Sequence, residues 1–173
     1  TKEGKLDKNI NTLIEEDKNI LIGINYPVTG INALDNLIQN DIEKIYNDFK
    51  EQYESFNSLT EKSELNIDYI YDIVNENYIN VCVYVFIDSS KLSHPNQYMK
   101  SYVYDIRENK LMSIKDLIQE IDFPKFISLV STEIVQNYSN CILLDKMKNI
   151  ITITYNFPLF TFDTDKVTIY FNP

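Results

Sequence analysis

Between Tyr78 and Ile87 the chain alternates without a break. Ile79, Val81, Val83, Val85 and Ile87 fall on one side, and Tyr78, Asn80, Cys82, Tyr84 and Phe86 on the other. A period of two built from β-branched and aromatic residues fits a pleated strand and no helix. The β-branched side needs an apolar layer to cover it. The tyrosine-rich side is half polar, so it is either exposed or paired with a second layer.

The covering layer is legible upstream. Beyond a turn at Thr29-Gly30, Ile31, Leu34, Ile38, Ile42, Ile45, Phe49, Tyr53 and Phe56 step by three or four. That spacing makes one long amphipathic helix with a single apolar stripe, the shape that lies across one face of a sheet. Its other side carries Asp35, Asn36, Gln39, Asp41, Glu43, Asn47, Asp48, Lys50 and Glu51.

The remaining elements follow in order. Residues 1–18 are polar, with a thin apolar set at Ile10, Leu13 and Ile14, and read as an N-terminal tether or short helix. Ile20, Ile22 and Ile24 alternate in a strand that Pro27 ends. Residues 56–63 read as a loop, and 65–74 as a strand with Leu65, Ile67, Tyr69, Tyr71 and Ile73 on one side. A turn at Glu76-Asn77 leads into the 78–87 strand, and a further strand spans Tyr98 to Ile106. Asn109 suits the left-handed position of the hairpin turn after it. Ser113 caps a helix starting at Ile114, with Asp116 in its first turn. Asp122-Phe123-Pro124 opens a second helix with the stripe Phe123, Phe126 or Ile127, Val130, Ile134 and Tyr138. Short strands at 150–155, 159–162 and 166–171 close the chain, the last two joined by a turn at Asp163-Thr164-Asp165.

The fold class is therefore α+β: a mostly antiparallel sheet meander packed against one long helix, with a second helix and a C-terminal β-hairpin. With 173 residues, the part from 19 to 173 makes one α+β domain, or two intimate halves at 19–90 and 91–173.

The net charge of −10 argues against nucleic acid, whose phosphates call for clustered Lys and Arg, and against an anionic membrane surface. It suits a basic partner, which an acidic surface steers in; it also simply keeps a domain soluble. No apolar run approaches the ~20 residues of a membrane span. The chain begins at Thr rather than Met, which leaves room for an upstream signal or anchor. Cys82 and Cys141 lack metal-site spacing, and the mid-strand place of Cys82 favours two buried thiols over a disulfide.

Catalysis finds little to stand on. His94 is the only histidine, and no nucleophile-elbow motif exists to use it. Only three glycines are present, so phosphate-cradling loops are missing. Thr161-Phe162-Asp163-Thr164-Asp165 is similar to the Thr-Phe-Asp-Asp-Gly motif of metal-dependent polysaccharide deacetylases. Those enzymes bind their metal with one Asp and two His, and a second histidine does not exist here, so hairpin-turn carboxylates are the better reading. Neither a cofactor nor a metal is expected. The thirteen tyrosines offer rigid amphipathic contact area to a protein or sugar, although many sit mid-strand and serve the core.

Three stretches carry a family resemblance: residues 20–49 (ILIGINYPVTGINALDNLIQNDIEKIYNDF), 93–118 (SHPNQYMKSYVYDIRENKLMSIKDLI) and 157–173 (FPLFTFDTDKVTIYFNP). Together they resemble the extracytoplasmic domain pair of RsiV-type anti-sigma factors, also found before the catalytic domain of PdaC-type peptidoglycan deacetylases. The most specific part is His94-Pro95-Asn96, the Tyr-Asp strand, the Lys-containing turn and the Ser-x-x-Asp-Leu helix start. Departures stand at Lys91-Leu92-Ser93 and at Asn109, where the family usually has glycine. The family also typically continues past the last strand with a further Tyr- and Pro-containing segment, and part of that region is missing from the sequence ending at Asn172-Pro173.

The resemblance implies a bacterial cell-envelope domain outside the membrane, anchored by a tether beyond these residues. In the RsiV type, lysozyme binding exposes the anti-sigma factor to proteolysis and frees the sigma factor. Lysozyme is strongly basic, and the acidic charge suits it. The expected function is thus non-catalytic binding of lysozyme, through Ser93, His94, Pro95, Asn96, Tyr98 and Ser101, with Tyr155, Phe157 and Pro158 as a second loop. The alternative is an accessory module of a peptidoglycan deacetylase contacting cell-wall glycan.

Overall fold

The computed structural model describes residues 10–55, 62–118, 122–138, 159–170 and 172. The elements run β1 (Ile10–Glu16), β2 (Ile20–Pro27), α1 (Asn32–Tyr53), β3 (Ser63–Val74), β4 (Tyr78–Asp88), β5 (Asn96–Asp105), β6 (Lys110–Leu111), α2 (Ile114–Leu117), α3 (Phe123–Tyr138), β7 (Phe160–Phe162) and β8 (Val167–Ile169). Strands β1 to β6 form one sheet in sequence order, and β7 and β8 pair as a separate hairpin. Within the six-stranded sheet only β2 and β3 run parallel, because α1 carries the chain back between them. This is the α+β architecture read from the sequence.

The main core joins α1 to one face of the sheet. Leu34, Ile38, Ile42, Ile45, Phe49 and Tyr53 are buried along the helix. They meet Ile20, Ile22 and Ile24 of β2, Leu65 and Ile67 of β3, the β-branched side of β4, and Tyr102 and Tyr104 of β5. At the helix start, Ile31 has no capping side chain. Asp35 takes over from the first turn: its carboxylate accepts from Thr29 N (2.7 Å), Thr29 Oγ1 (2.7 Å) and Gly30 N (3.0 Å). Gly30 stands at φ 81°, a left-handed conformation that glycine adopts without strain. Asp35 is thus a capping group rather than one more solvated acid on the polar face.

A second, smaller core lies across the sheet from α1. It gathers Val103 of β5, Met112, Ile114 of α2 and Phe160 of β7, with Phe126, Ile127 and Val130 of α3 packed against it. Of the predicted α3 stripe, the side chains of Phe123, Ile134 and Tyr138 lie outside the described residues, as do residues 56–61 and 139–158 with the expected 150–155 strand and Cys141. Cys82 is a buried free thiol, and burial pushes its pKa up.

Three local readings change. Residues 10–16 form neither a helix nor a tether but the edge strand β1, paired antiparallel with β2 from Ile10↔Pro27 to Glu16↔Leu21. The Asp17 carboxylate turns the hairpin by accepting from Asn19 N (2.6 Å) and Ile20 N (3.0 Å). The β3–β4 turn pivots one residue early: Asn75 and Glu76 hold positive φ, at 51° and 60°. Strand β5 begins at Asn96, two residues before the expected start.

Asn109 does take the left-handed conformation, φ 51°, and accepts from Tyr104 Oη (3.0 Å). At α2 the Asp116 carboxylate accepts from both Ser113 N and Ser113 Oγ, each 2.7 Å away, and pairs with Lys110 at 2.7 Å. The Lys110 ammonium and the two Ser113 donors hold the Asp116 pKa down to about 2. A lowered carboxylate stabilises the fold above its unfolded pKa and loses that contribution as pH falls through its folded value. Asp116→Ala is therefore expected to lower Tm by a constant amount above pH ~5, equivalent to ~1 kcal/mol at this solvent-screened site. The gap to wild type should close as pH approaches 2, read by thermal melts over a pH series.

Candidate functional site

The His94 loop is anchored firmly at its base and open at its tip. Ser89 is buried, and its hydroxyl lies 2.9 Å from that of Ser63. Leu92 N donates to Ser89 O (2.9 Å), and Lys91 Nζ reaches Gln52 O (3.0 Å) over the Tyr53 ring at the end of α1. Beyond this base, Ser93, His94, Pro95 and Asn96 are all exposed. The His94 Nδ1 lies 3.2 Å from the Pro95 carbonyl oxygen, a local contact that shapes the loop tip.

The other predicted residues do not gather at that tip. Tyr98 faces α1, half-buried against the main core, where burial raises its pKa. Ser101 lies on the opposite side, and its Oγ accepts from Phe160 N (2.9 Å), fastening β7 to the sheet. Positions 98 and 101 differ in parity along one strand, so the pleat sends them to different faces. Tyr155, Phe157 and Pro158 lie outside the described residues.

Next to the loop, the helix side of β5 holds a compact polar group. Tyr102 Oη donates to Asp41 Oδ2 (2.6 Å), and Lys100 Nζ pairs with Asp41 Oδ1 (2.9 Å). Burial works against the Asp41 charge, but hydrogen bonds from Tyr102 and Lys100 keep its pKa below the usual range. Burial, and then the bond to Asp41, drive the Tyr102 pKa upward. These groups tie β5 to α1 and satisfy one another.

The tyrosine-rich side of β4 is both covered and open, each over part of its length. At one end the β7–β8 hairpin sits on it. Asn80 Nδ2 donates to Phe162 O (2.7 Å), Phe162 N points back to Asn80 Oδ1 (3.4 Å), and the Tyr78 and Phe162 rings meet edge-on at 5.0 Å. Asn172 makes a similar clamp, accepting from Met99 N (2.8 Å) and donating to Met99 O (3.0 Å). Beyond the hairpin a groove of about 460 Å³ runs over β3, β4 and β5, lined by Asn66, Asp68, Tyr84, Phe86, Gln97 and Met99, with Asn172 as one wall.

Cross-strand register assembles this groove. Asn66 pairs with Phe86 and Asp68 with Tyr84, while Phe86 pairs with Gln97 and Tyr84 with Met99. The sequence showed the tyrosines of β4 but not which residues of β3 and β5 would flank them. Among the described residues no group of three His, Cys, Asp or Glu is placed to hold a metal ion. Asp163 and Asp165 lie at the β7–β8 hairpin, where Asp163 N donates to Lys166 O (2.9 Å).

Among the solved structures that match the whole fold are two members of one family. One is a member of the DUF3298 family from Bacteroides fragilis NCTC 9343, with TM-score 0.57 and 11% identity, covering 98% of this chain and 84% of that one. The other is a DUF3298 family protein from Pseudomonas aeruginosa PAO1, with TM-score 0.51 and 13% identity, covering 84% of this chain and 73% of that one. The chain shares the fold of DUF3298 family proteins. At these identities the likeness speaks for the fold alone. No family model and no curated protein matches the sequence.

Proposed function

We propose that this chain is a non-catalytic extracytoplasmic receptor domain, an anti-sigma factor ectodomain that binds a basic protein, lysozyme first. Binding would open the anti-sigma factor to proteolysis and release its sigma factor. The observation that carries this reading is the pairing of a rigidly based, exposed Ser93–Asn96 tip with a chain whose net charge is −10. The acidic groups steer a cationic protein, and exposed loop and aromatic groups supply short-range contact. The shared DUF3298 fold supports placing the domain beside the RsiV-type ectodomains that its sequence resembles, in the cell envelope and anchored from outside these residues. The role calls for no cofactor and no catalytic group.

Titration calorimetry with lysozyme at low and moderate salt tests it. Binding that weakens as salt rises is expected, because the attraction is screened. Absence of both heat and thermal shift at micromolar protein would remove lysozyme as the partner.

The alternative reading is an accessory module of a peptidoglycan deacetylase. It is favoured by one feature, the amide and aromatic groups of Asn66, Gln97, Tyr84 and Phe86 in the open groove. Retention on purified peptidoglycan, with no response to lysozyme, would select it.

A further inference from the structure

We infer that the open sheet face beside the His94 loop is itself a docking surface, with the groove over β3–β5 receiving a Lys or Arg side chain of a basic protein partner. This rests on the reading that the domain receives such a protein, and it locates where the partner is held.

Three observations carry it. The first is charge. On the side of the sheet away from α1, the alternating positions of β3 and β4 present Glu64, Asp68, Asp72 and Asp88. The same side of β2, β3, β4 and β5 presents no lysine or arginine. Five other acids are held in ion pairs: Glu15 and Glu54 by Lys50, Asp41 by Lys100, Asp116 by Lys110, and, at the β1 edge of this same side, Glu16 by Lys62. None of the ion pairs among the described residues involves Glu64, Asp68, Asp72 or Asp88. Lys62 on Glu16 and Arg107 over the Tyr78 ring stand at the margins of this side, and between them the acids of β3 and β4 set a negative field over a low-dielectric sheet.

The second is apolar exposure inside that acidic frame. Ile70 is 61% exposed and Tyr84 40% exposed at the centre of the face. Aliphatic and aromatic groups ringed by carboxylates suit the amphipathic side chains of Arg and Lys, whose methylene stems pack on apolar surface while the charged head reaches acid. The Tyr84 ring adds a face for a cation.

The third is continuity with the loop. Asn96, at the exposed tip, pairs with Ile87, and the next residue, Gln97, already lines the groove. A partner seated on the Ser93–Asn96 tip therefore reaches the groove across Asp88 and Gln97 without crossing a barrier. The groove walls are polar at Asn66 and Asp68, so an entering guanidinium or ammonium meets hydrogen-bond acceptors as well as charge.

The test uses the whole chain and two probes, hexa-arginine peptide and lysozyme, with chitohexaose as a contrast. In amide NMR spectra, hexa-arginine is expected to shift residues 64–72, 82–88 and 96–99 and to leave the outer face of α1 in place. Shifts concentrated elsewhere, or none, overturn the docking surface whatever lysozyme does. So does a groove that responds to chitohexaose and not to hexa-arginine.

Calorimetry then compares Asp68→Asn/Asp72→Asn and Tyr84→Ser with wild type. Each is expected to weaken lysozyme binding about tenfold, the acid pair also flattening its salt dependence. Wild-type binding with unchanged affinity in both variants refutes the surface and keeps the receptor reading. A groove that answers hexa-arginine while wild type ignores lysozyme keeps the surface and refutes lysozyme as partner.

Discussion

Phe49→Ala is expected to destabilise the protein by about 3–5 kcal/mol, the largest effect of any single truncation in α1. Phe49 is 2% exposed, and it is among the largest of the fully buried side chains. It sits on the one apolar stripe by which α1 holds the sheet, with its ring 5.0 Å from that of Tyr53. Truncation would lose the transfer energy of the ring and leave a cavity between two rigid layers that have little room to close in. Equilibrium denaturation in urea should show a lower midpoint with an unchanged slope. Phe49→Leu should recover more than half of the loss. A cost below about 1 kcal/mol for the alanine variant would mean that α1 is not seated as described.

Asn80→Ala is expected to cost about 2 kcal/mol and to act on a different part of the molecule. Asn80 is buried, and its amide satisfies both the N–H and the C=O of Phe162. Alanine would leave those two backbone groups without their partner under the hairpin. The damage should be local. Hydrogen exchange should speed up at Phe160–Ile169 well before β3 and β4 lose protection, because the main core does not use Asn80. Uniform loss of protection across the sheet would show instead that the hairpin and the main core open as one unit.

What could be read from the sequence was whatever a single element encodes by itself. The α1 stripe is spelled out from Leu34 to Tyr53, and the β4 alternation from Ile79 to Val85, since each meets one uniform layer. The cap residues Ser113 and Asp116 and the left-handed Asn109 were legible for the same reason: local chemistry fixes them. Strand β1 was not. Its apolar residues Ile10, Leu13 and Ile14 are all exposed at a sheet edge, so no buried face imposes a period of two, and pairing with β2 makes the strand.

The site divides along the same line. The exposed tip at Ser93–Asn96 follows from a polar loop between two strands. The groove depends on which residue of β3 stands opposite Tyr84, a register that neither strand states alone. The division of Tyr98 from Ser101 between two faces was implicit in the strand pleat, once the strand is known to begin at Asn96.

The single parallel join between β2 and β3 also bears on how the chain assembles. Strands β3, β4, β5 and β6 meet their neighbours through short connections, so their pairings close small loops at modest entropic cost. The β2–β3 pairing waits until the whole of α1 has been folded back between them. During synthesis the β1–β2 hairpin emerges before α1 and β3, and Ile20, Ile22 and Ile24 then have neither the helix above them nor the strand beside them. The β1–β2 hairpin thus waits for chain made after it, and until then its bare isoleucine row is a surface that a chaperone would have reason to guard.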